Sequence, residues 1–374
     1  MAESSFQRIE TLESLRGLLA LWVLVGHCLR YSGVTPSFLG PLTHPDLAVD
    51  VFVILSGFVI SHLLARDARY WPFIVRRFFR LAPLFYFVLI VSAFALNFEL
   101  AILRAIPHPS EAVTTSIQIF SAARKWFIPD FLVHLTMLHG IIPIPQGSYA
   151  IVGQAWSISL EWQFYLLAPL ILSSLFAKRW HVATTIFILA AALHLLHFQG
   201  PPFIANQAHL FAIGIASSFL WRKVRLDGKA ADMAAIGVAL LAYVLVQRWV
   251  AIALWSVVLA NLLTKEEAAS GMQGVIGKIL LWSPLRWLGR ISYSIYMTHM
   301  LVVIFAIYCL SKLAPGIEEN WMLAMLLITA SVSLVLPISW MTYSLIEAPG
   351  IALGRKLANG LRPEPLDQAA RATT

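Results

Sequence analysis

Charge is what this chain has least of. Of its 374 residues only 12% are Asp, Glu, Lys or Arg, while 59% are hydrophobic. A soluble domain normally carries about twice that charged share, so a water-soluble globule is excluded. Cysteine is nearly absent: Cys28 and Cys309 both fall in apolar blocks and read as buried thiols, with no disulfide framework or zinc spacing. HExxH, paired CxxC, a Walker loop, a GxSxG elbow and a Rossmann fingerprint are all missing, so no metal site is implied. Internal repeats and low-complexity tracts are missing too. So is the apolar–polar alternation that a transmembrane β-barrel requires.

What is present is a series of apolar blocks of membrane-crossing length. Spans are expected near 15–32, 47–65, 81–101, 155–177, 182–198, 204–221, 231–247, 249–264, 291–311 and 321–345. The fold class is therefore all-α: a polytopic transmembrane helical bundle of about ten spans. The net charge of +8 does not point to nucleic acid, because the basic residues cluster between apolar blocks. With the N-terminus in the cytoplasm, Arg8, Arg16, the Arg66–Arg80 cluster, Lys178, Arg179, Arg222, Lys223, Arg225 and most basic residues beyond Lys265 face inward. Arg30, Arg104, Arg124, Lys125, Arg248 and Lys312 remain outside. The positive-inside rule selects this topology, with both termini cytoplasmic. Met1–Glu13 is polar and no small-residue cleavage site follows, so the first apolar block is expected to stay as a span. Residues 1–360 are expected to form one transmembrane domain and 361–374 a disordered cytoplasmic tail. Segment 102–154 is broken by Pro107, Pro109, Pro129, Pro143 and Pro145. Within it, Phe131–His139 is too short to span, and reads equally as a re-entrant cap over a cavity or as an ordinary outer loop.

Five stretches carry polar groups at membrane depth, where ionisable side chains are costly and usually functional. In the first, Arg16 and His27 flank an apolar run. Eleven helical steps bring them within about 20° of one face, about 16 Å apart. Histidine is the commonest general base, though a surface hydrogen-bonded histidine is the plain alternative. In the second, Asp50 opens a span on the side to which His27 is delivered. It is placed to steady a protonated imidazole, or simply to cap its helix. The third, Phe73–Pro83, holds Arg76, Arg77 and Arg80; arginine forks suit phosphate, and such runs also orient spans. The fourth, Trp156–Tyr165, sets Ser157, Glu161 and Tyr165 on one helical face, with Glu161 needing a partner such as Arg16 or His27. In the fifth, Ser292, Tyr296 and His299 share a face that lines a cavity or meets another helix.

Taken together, the five stretches resemble the acyltransferase 3 family of integral membrane proteins, over roughly residues 10–350. The Arg16-x10-His27 spacing matches the family hallmark, and Val51–Ser61, Phe73–Pro83, Trp156–Tyr165 and Ser292–His299 follow in order. Ala82, Trp162 and Ala348 depart from the usual pattern. The resemblance implies transfer of an acyl group, usually acetyl, from acyl-CoA to hydroxyls of carbohydrates or small molecules. Surface polysaccharide, lipopolysaccharide, exopolysaccharide and lipo-oligosaccharide are typical acceptors. It implies Arg16 and His27 as the essential pair, and Asp50 or Glu161 is the carboxylate expected to hold the histidine's tautomer. Arg76, Arg77 and Arg80 are implied for the CoA side, and Ser292, Tyr296 and His299 are expected on the donor's cavity. The expected donor is acetyl-CoA, without metal, and the expected partners are membrane lipid and a carbohydrate or lipid-linked glycan. The expected location is the bacterial inner membrane. A transporter or flippase is the rival reading, but no paired repeats or matched broken helices support it. A membrane scaffold or sensor would not need the five polar stretches.

Overall fold

The computed structural model describes residues 2–34, 37–142, 148–196, 200–245, 249–264, 271–313 and 321–361. Apart from Leu361, the expected tail lies outside the described residues, as do Pro143 and Pro145. The described chain is helical throughout. The first five helices are α1 (Ala2–Tyr31), α2 (Pro45–Leu64), α3 (Tyr70–Arg104), α4 (Glu111–Lys125) and α5 (Phe127–Leu135). Next come α6 (Trp156–Phe176), α7 (Trp180–Leu195), α8 (Ile204–Lys223), α9 (Gly228–Leu245) and α10 (Trp249–Leu263). The last five are α11 (Gly271–Leu280), α12 (Ser283–Arg290), α13 (Ser292–Leu313), α14 (Trp321–Thr342) and α15 (Ala348–Gly360). A π turn over Tyr343–Glu347 joins the last two.

Six stretches are long and apolar enough to cross a membrane: Glu10–Tyr31, Pro45–Leu64, Tyr70–Arg104, Gly153–Phe176, Ser292–Leu313 and Trp321–Gly360. The chain is a multi-pass membrane protein. Large apolar side chains such as Phe94, Leu195 and Leu345 point outward, as they do where lipid replaces water. The other four expected spans, near 182–198, 204–221, 231–247 and 249–264, are helical (α7 to α10) but fall outside that set of six. One boundary differs usefully from the sequence reading. The helix expected over 81–101 begins at Tyr70, so Arg76, Arg77 and Arg80 ride on the helix itself. Arginine is a good helix former, and Pro72 sits in the first turn where its missing N–H costs nothing.

Lipid supplies no hydrophobic drive between helices, so close backbone approach has to hold them together. Two crossings do this with glycine. Gly17 on α1 meets Gly289 on α12, where a Cβ on Gly17 would stand 2.7 Å from the Gly289 nitrogen. Gly57 on α2 and Gly214 on α8 also face each other, and a Cβ on either would run into backbone of the other helix. The crossings tie α12 to α1 and α8 to α2, and α1 and α2 pack further against α13 and α6 respectively, with α3 beside α13.

The segment between α3 and α6 folds into two short helices. Ser110 caps α4 by accepting from the Val113 N–H at 3.3 Å. Asp130, His134 and His139 are all fully buried. His134 Nδ1 donates to the Asp130 carbonyl at 2.7 Å, its ring stacks on His139 at 4.1 Å, and His139 Nε2 donates to the Ala155 carbonyl at 3.0 Å. The Gly140 N–H adds a bond to Ser159 Oγ at 3.0 Å. The segment is thereby stapled to the start of α6.

Two predictions follow from this packing. Gly214→Val should destabilise the purified protein by about 1–3 kcal/mol, the range for overpacking. Gly237→Ala, where no atom lies within 4 Å of the added Cβ, should not; thermal unfolding in detergent reads both. The staple also sets a pH dependence. Burial pushes His134 down to about 4 and His139 well below its usual range, while it pushes Asp130 up to about 6. The unfolded histidines bind protons first, so their share of stability is lost as pH falls from about 6.5 towards 4. The native Asp130 carboxyl takes up its proton early and opposes that loss. The unfolding midpoint should therefore drop over this window. His134→Phe should flatten the drop and Asp130→Asn should steepen it.

Candidate active site

Three cavities lie in a row, and the polar stretches of the sequence line them. The first, about 230 Å³, is walled by Leu63, Arg66, Asp67, Phe73, Arg76 and Arg77, where α2 ends and α3 begins. Asp67 is gripped by Arg69 at 2.8 Å and approached by Arg76 at 3.5 Å. The Arg77 guanidinium lies over the Phe73 and Tyr165 rings, 5.6 and 5.5 Å from their centroids. A cation held on two aromatic faces is oriented without being neutralised, and its buried Nε has no hydrogen-bond partner.

Arg77 also lines the second cavity, about 80 Å³, together with Arg16, Ser56, Ser157, Glu161, Tyr165, Ser292, Tyr293 and Tyr296. Glu161 accepts from Tyr165 and, at 3.4 Å, from Ser56. The four-residue spacing of Ser157, Glu161 and Tyr165 is what brings all three to this wall. Of the two partners considered for Glu161, Arg16 shares its cavity and His27 does not. Arg16 Nε, like that of Arg77, is buried without a partner.

The third cavity, about 330 Å³, holds His27, Arg30, Tyr31, Asp46, Ser116, Tyr149, Gln154 and Trp156, and again Tyr296. Tyr31 and Ser116 bond hydroxyl to hydroxyl at 2.6 Å. His27 packs on His299, ring centroids 5.2 Å apart. His299 is fully buried and bonds the Tyr296 carbonyl through Nδ1 at 2.6 Å. Since a carbonyl only accepts, that nitrogen carries the hydrogen, and Nε2, which has no partner, keeps a lone pair. Asp50 is buried on α2, next to Val49, and Val49 walls both the second and third cavities.

Arg80 lines none of these three cavities but lies within electrostatic reach of Tyr165, Glu161 and Tyr293 of the second. Its Nη1 lies 3.0 Å from Glu347 Oε1, and Ser294 donates to Glu347 Oε2 at 2.8 Å. Glu347 sits in the π turn, an insertion that re-aims side chains and often marks functional sites. Among the described residues, no group of three His, Cys, Asp or Glu side chains is placed to hold a metal.

Sequence reasoning missed four parts of this arrangement. Arg66 was legible only as an orienting charge. The Arg80–Glu347 pair joins residues far apart in the chain. Gln154 donates to the Met297 carbonyl at 2.7 Å across 143 residues. Tyr149 and Trp156, 6.5 Å apart by ring centroid, carry no local pattern.

A row of partly open cavities lined by arginines, hydroxyls and a histidine thus lies inside a multi-pass bundle. The chain belongs to the acyltransferase 3 family: the family model, described as an acyltransferase domain, matches residues 9–343. It is similar to the peptidoglycan O-acetyltransferase OatA of Listeria monocytogenes, 24% identical over 350 residues, covering 83% of this chain and 51% of that protein. It is also similar to the O-acetyltransferase OatA of Staphylococcus aureus, 22% identical over 329 residues, covering 79% of this chain and 50% of that protein. The chain thus spans about half the length of these relatives. No solved structure matches.

The Arg80–Glu347 pair yields a stability prediction. Glu347→Ala leaves a guanidinium without its carboxylate in a buried setting, which costs about 3–5 kcal/mol. Arg69→Ala, at an exposed pair, should leave the unfolding midpoint unchanged. Equal effects of the two substitutions would contradict the assignment.

Proposed function

We propose that the protein is an acyl-CoA-dependent membrane O-acetyltransferase that acetylates a hydroxyl of a cell-envelope carbohydrate, with His27 as general base. The observation that carries this is the adjacency of the three cavities, each sharing a wall with the next. The first and second share Arg77, and the second and third share Val49 and Tyr296. The row begins on three arginines and ends on an imidazole.

The residues fit the donor. Arg66, Arg76 and Arg77 offer guanidinium forks for its phosphates, and the partnerless Nε atoms of Arg77 and Arg16 are buried donors awaiting an acceptor. Ser292 lies along the pantetheine arm's path towards Tyr296. Arg80, paired with Glu347, braces this side. In the third cavity His27 takes the proton of an acceptor hydroxyl, and the oxygen bonds to the thioester carbonyl carbon. The C–S bond breaks, and His27 returns the proton to the sulfur, leaving the acetyl ester and free CoA thiol. Asp50, buried beside Val49, steadies the protonated ring, and His299 fixes its position by packing. Tyr149 and Trp156 offer aromatic faces and Arg30, Asp46 and Gln154 polar groups, a combination suited to a sugar.

The same reading proposes a bundle of about ten crossings in the bacterial inner membrane with both termini cytoplasmic. Residues 1–360 form the one catalytic domain and the final residues its tail. The arginine cavity then faces the cytoplasm, where acetyl-CoA is made, and the His27 cavity faces the envelope. Similarity to peptidoglycan O-acetyltransferases supports an envelope glycan as acceptor. A flippase is the rival reading, and the sequence offers it neither paired repeats nor matched broken helices.

Mass spectrometry of glycan and lipid fractions tests this directly. A deletion strain should lose acetyl groups that the wild-type gene restores. His27→Ala should restore them at a rate lower by about 10²–10⁴-fold, the usual share of a general base. Arg77→Ala should raise the KM for acetyl-CoA more than it lowers kcat. Full acetylation by His27→Ala would overturn the base assignment.

A further inference from the structure

The third cavity poses a problem that the proposed reaction does not solve. At about 330 Å³ it has room for about ten waters at roughly 30 Å³ each, and His27, Arg30, Asp46, Ser116 and Gln154 on its walls offer them hydrogen-bond partners. An imidazole that deprotonates an alcohol deprotonates water as readily. If a thioester rested beside His27, it would be hydrolysed while the acceptor was absent. Selectivity has to come from what lets the thioester reach the histidine.

Among the described residues, only Val49 and Tyr296 wall both the donor cavity and the His27 cavity. Val49 is β-branched on a helix and stiff. Tyr296 is the one that is latched. Its hydroxyl donates to the Gln154 carbonyl at 2.8 Å and accepts from Ser157 Oγ at 2.6 Å. Gln154 returns a bond to the Met297 carbonyl at 2.7 Å, so the start of α6 is clasped to one turn of α13. The Phe52 ring meets the Tyr296 ring edge-on at 6.3 Å. That turn also bears the base's neighbour: His299 bonds the Tyr296 carbonyl and packs on His27.

We propose that Tyr296 is a specificity-determining residue that separates acyl transfer from acyl-CoA hydrolysis. Latched to Ser157 and Gln154, its ring seals the donor cavity from the His27 cavity. Released, it admits the acyl group to the base. The inference rests on the acyltransferase reading above. It adds a second reaction that the site is built to suppress: water's oxygen bonds to the carbonyl carbon, the C–S bond breaks, and acetate and CoA thiol leave. The proton that His27 takes from water ends on the sulfur.

The test needs no acceptor. Purified protein is given acetyl-CoA labelled in the acetyl group, and release of acetate and thiol is followed. Tyr296→Phe keeps the ring and removes the latch, and should raise acetate release about tenfold, as expected for losing a hydrogen bond in the sealed state. Ser157→Ala, which weakens the latch from the other helix, should raise it several-fold. Adding His27→Ala to Tyr296→Phe should return the rate to the wild-type level. If both variants bind acetyl-CoA like the wild type and neither leaks, or if the leak persists without His27, Tyr296 does not have this role. A wild-type protein that does not bind acetyl-CoA overturns the acyltransferase reading itself, and this inference with it.

Discussion

An arginine and a histidine can share one face of a membrane helix only if the bundle gives each a polar room of its own. Every other feature of this protein serves that constraint. Arg16 and His27 lie about 16 Å apart along α1 by helix rise, and two different cavities receive them. The glycine crossings at Gly17–Gly289 and Gly57–Gly214 hold the neighbouring helices near enough to wall these rooms. The charges and hydroxyls that would be ruinous against lipid are turned inward, where Tyr165, Ser56 and Ser157 partner them. The row of cavities is a consequence of hiding polar groups, and the proposed chemistry uses what that hiding creates.

The partition between the rooms matters as much as the rooms. A pore lined this way would leak solutes; a solid wall would keep donor from acceptor. In the proposed reaction, one hydroxyl latched across α6 and α13 lies between those extremes, since a pair of hydrogen bonds is strong enough to hold a ring and weak enough to release it. The Arg80–Glu347 pair plays a different part. It ties the π turn after α14 back to α3, which carries Arg76 and Arg77, and so fixes the arginine end of the row.

How much of this was legible in the sequence follows from where the information sits. The helical class, the membrane and the polar faces are properties of single segments, so hydropathy and four-residue spacing reveal them. Ser157, Glu161 and Tyr165 are on one wall as their spacing requires. The boundary of α3 was misjudged because charge was taken as the end of a span, although arginine and aromatic residues continue a helix well. Partnerships across the fold were beyond reach. Nothing local says that Glu347 meets Arg80, that Gln154 clasps Met297 or that His299 packs on His27. Whether 131–139 caps or loops also depended on contacts with α6 that only the fold supplies.

The central claim is that the Arg16 and His27 rooms open to opposite sides with Tyr296 between them. Single cysteines placed at Ser56 and at Met300, in a chain with Cys28 and Cys309 replaced by alanine, test it with a membrane-impermeant maleimide on oriented vesicles. The account predicts that the cysteine at 300 is labelled from the envelope side alone and the cysteine at 56 from the cytoplasmic side alone. Labelling of both from one side would contradict it.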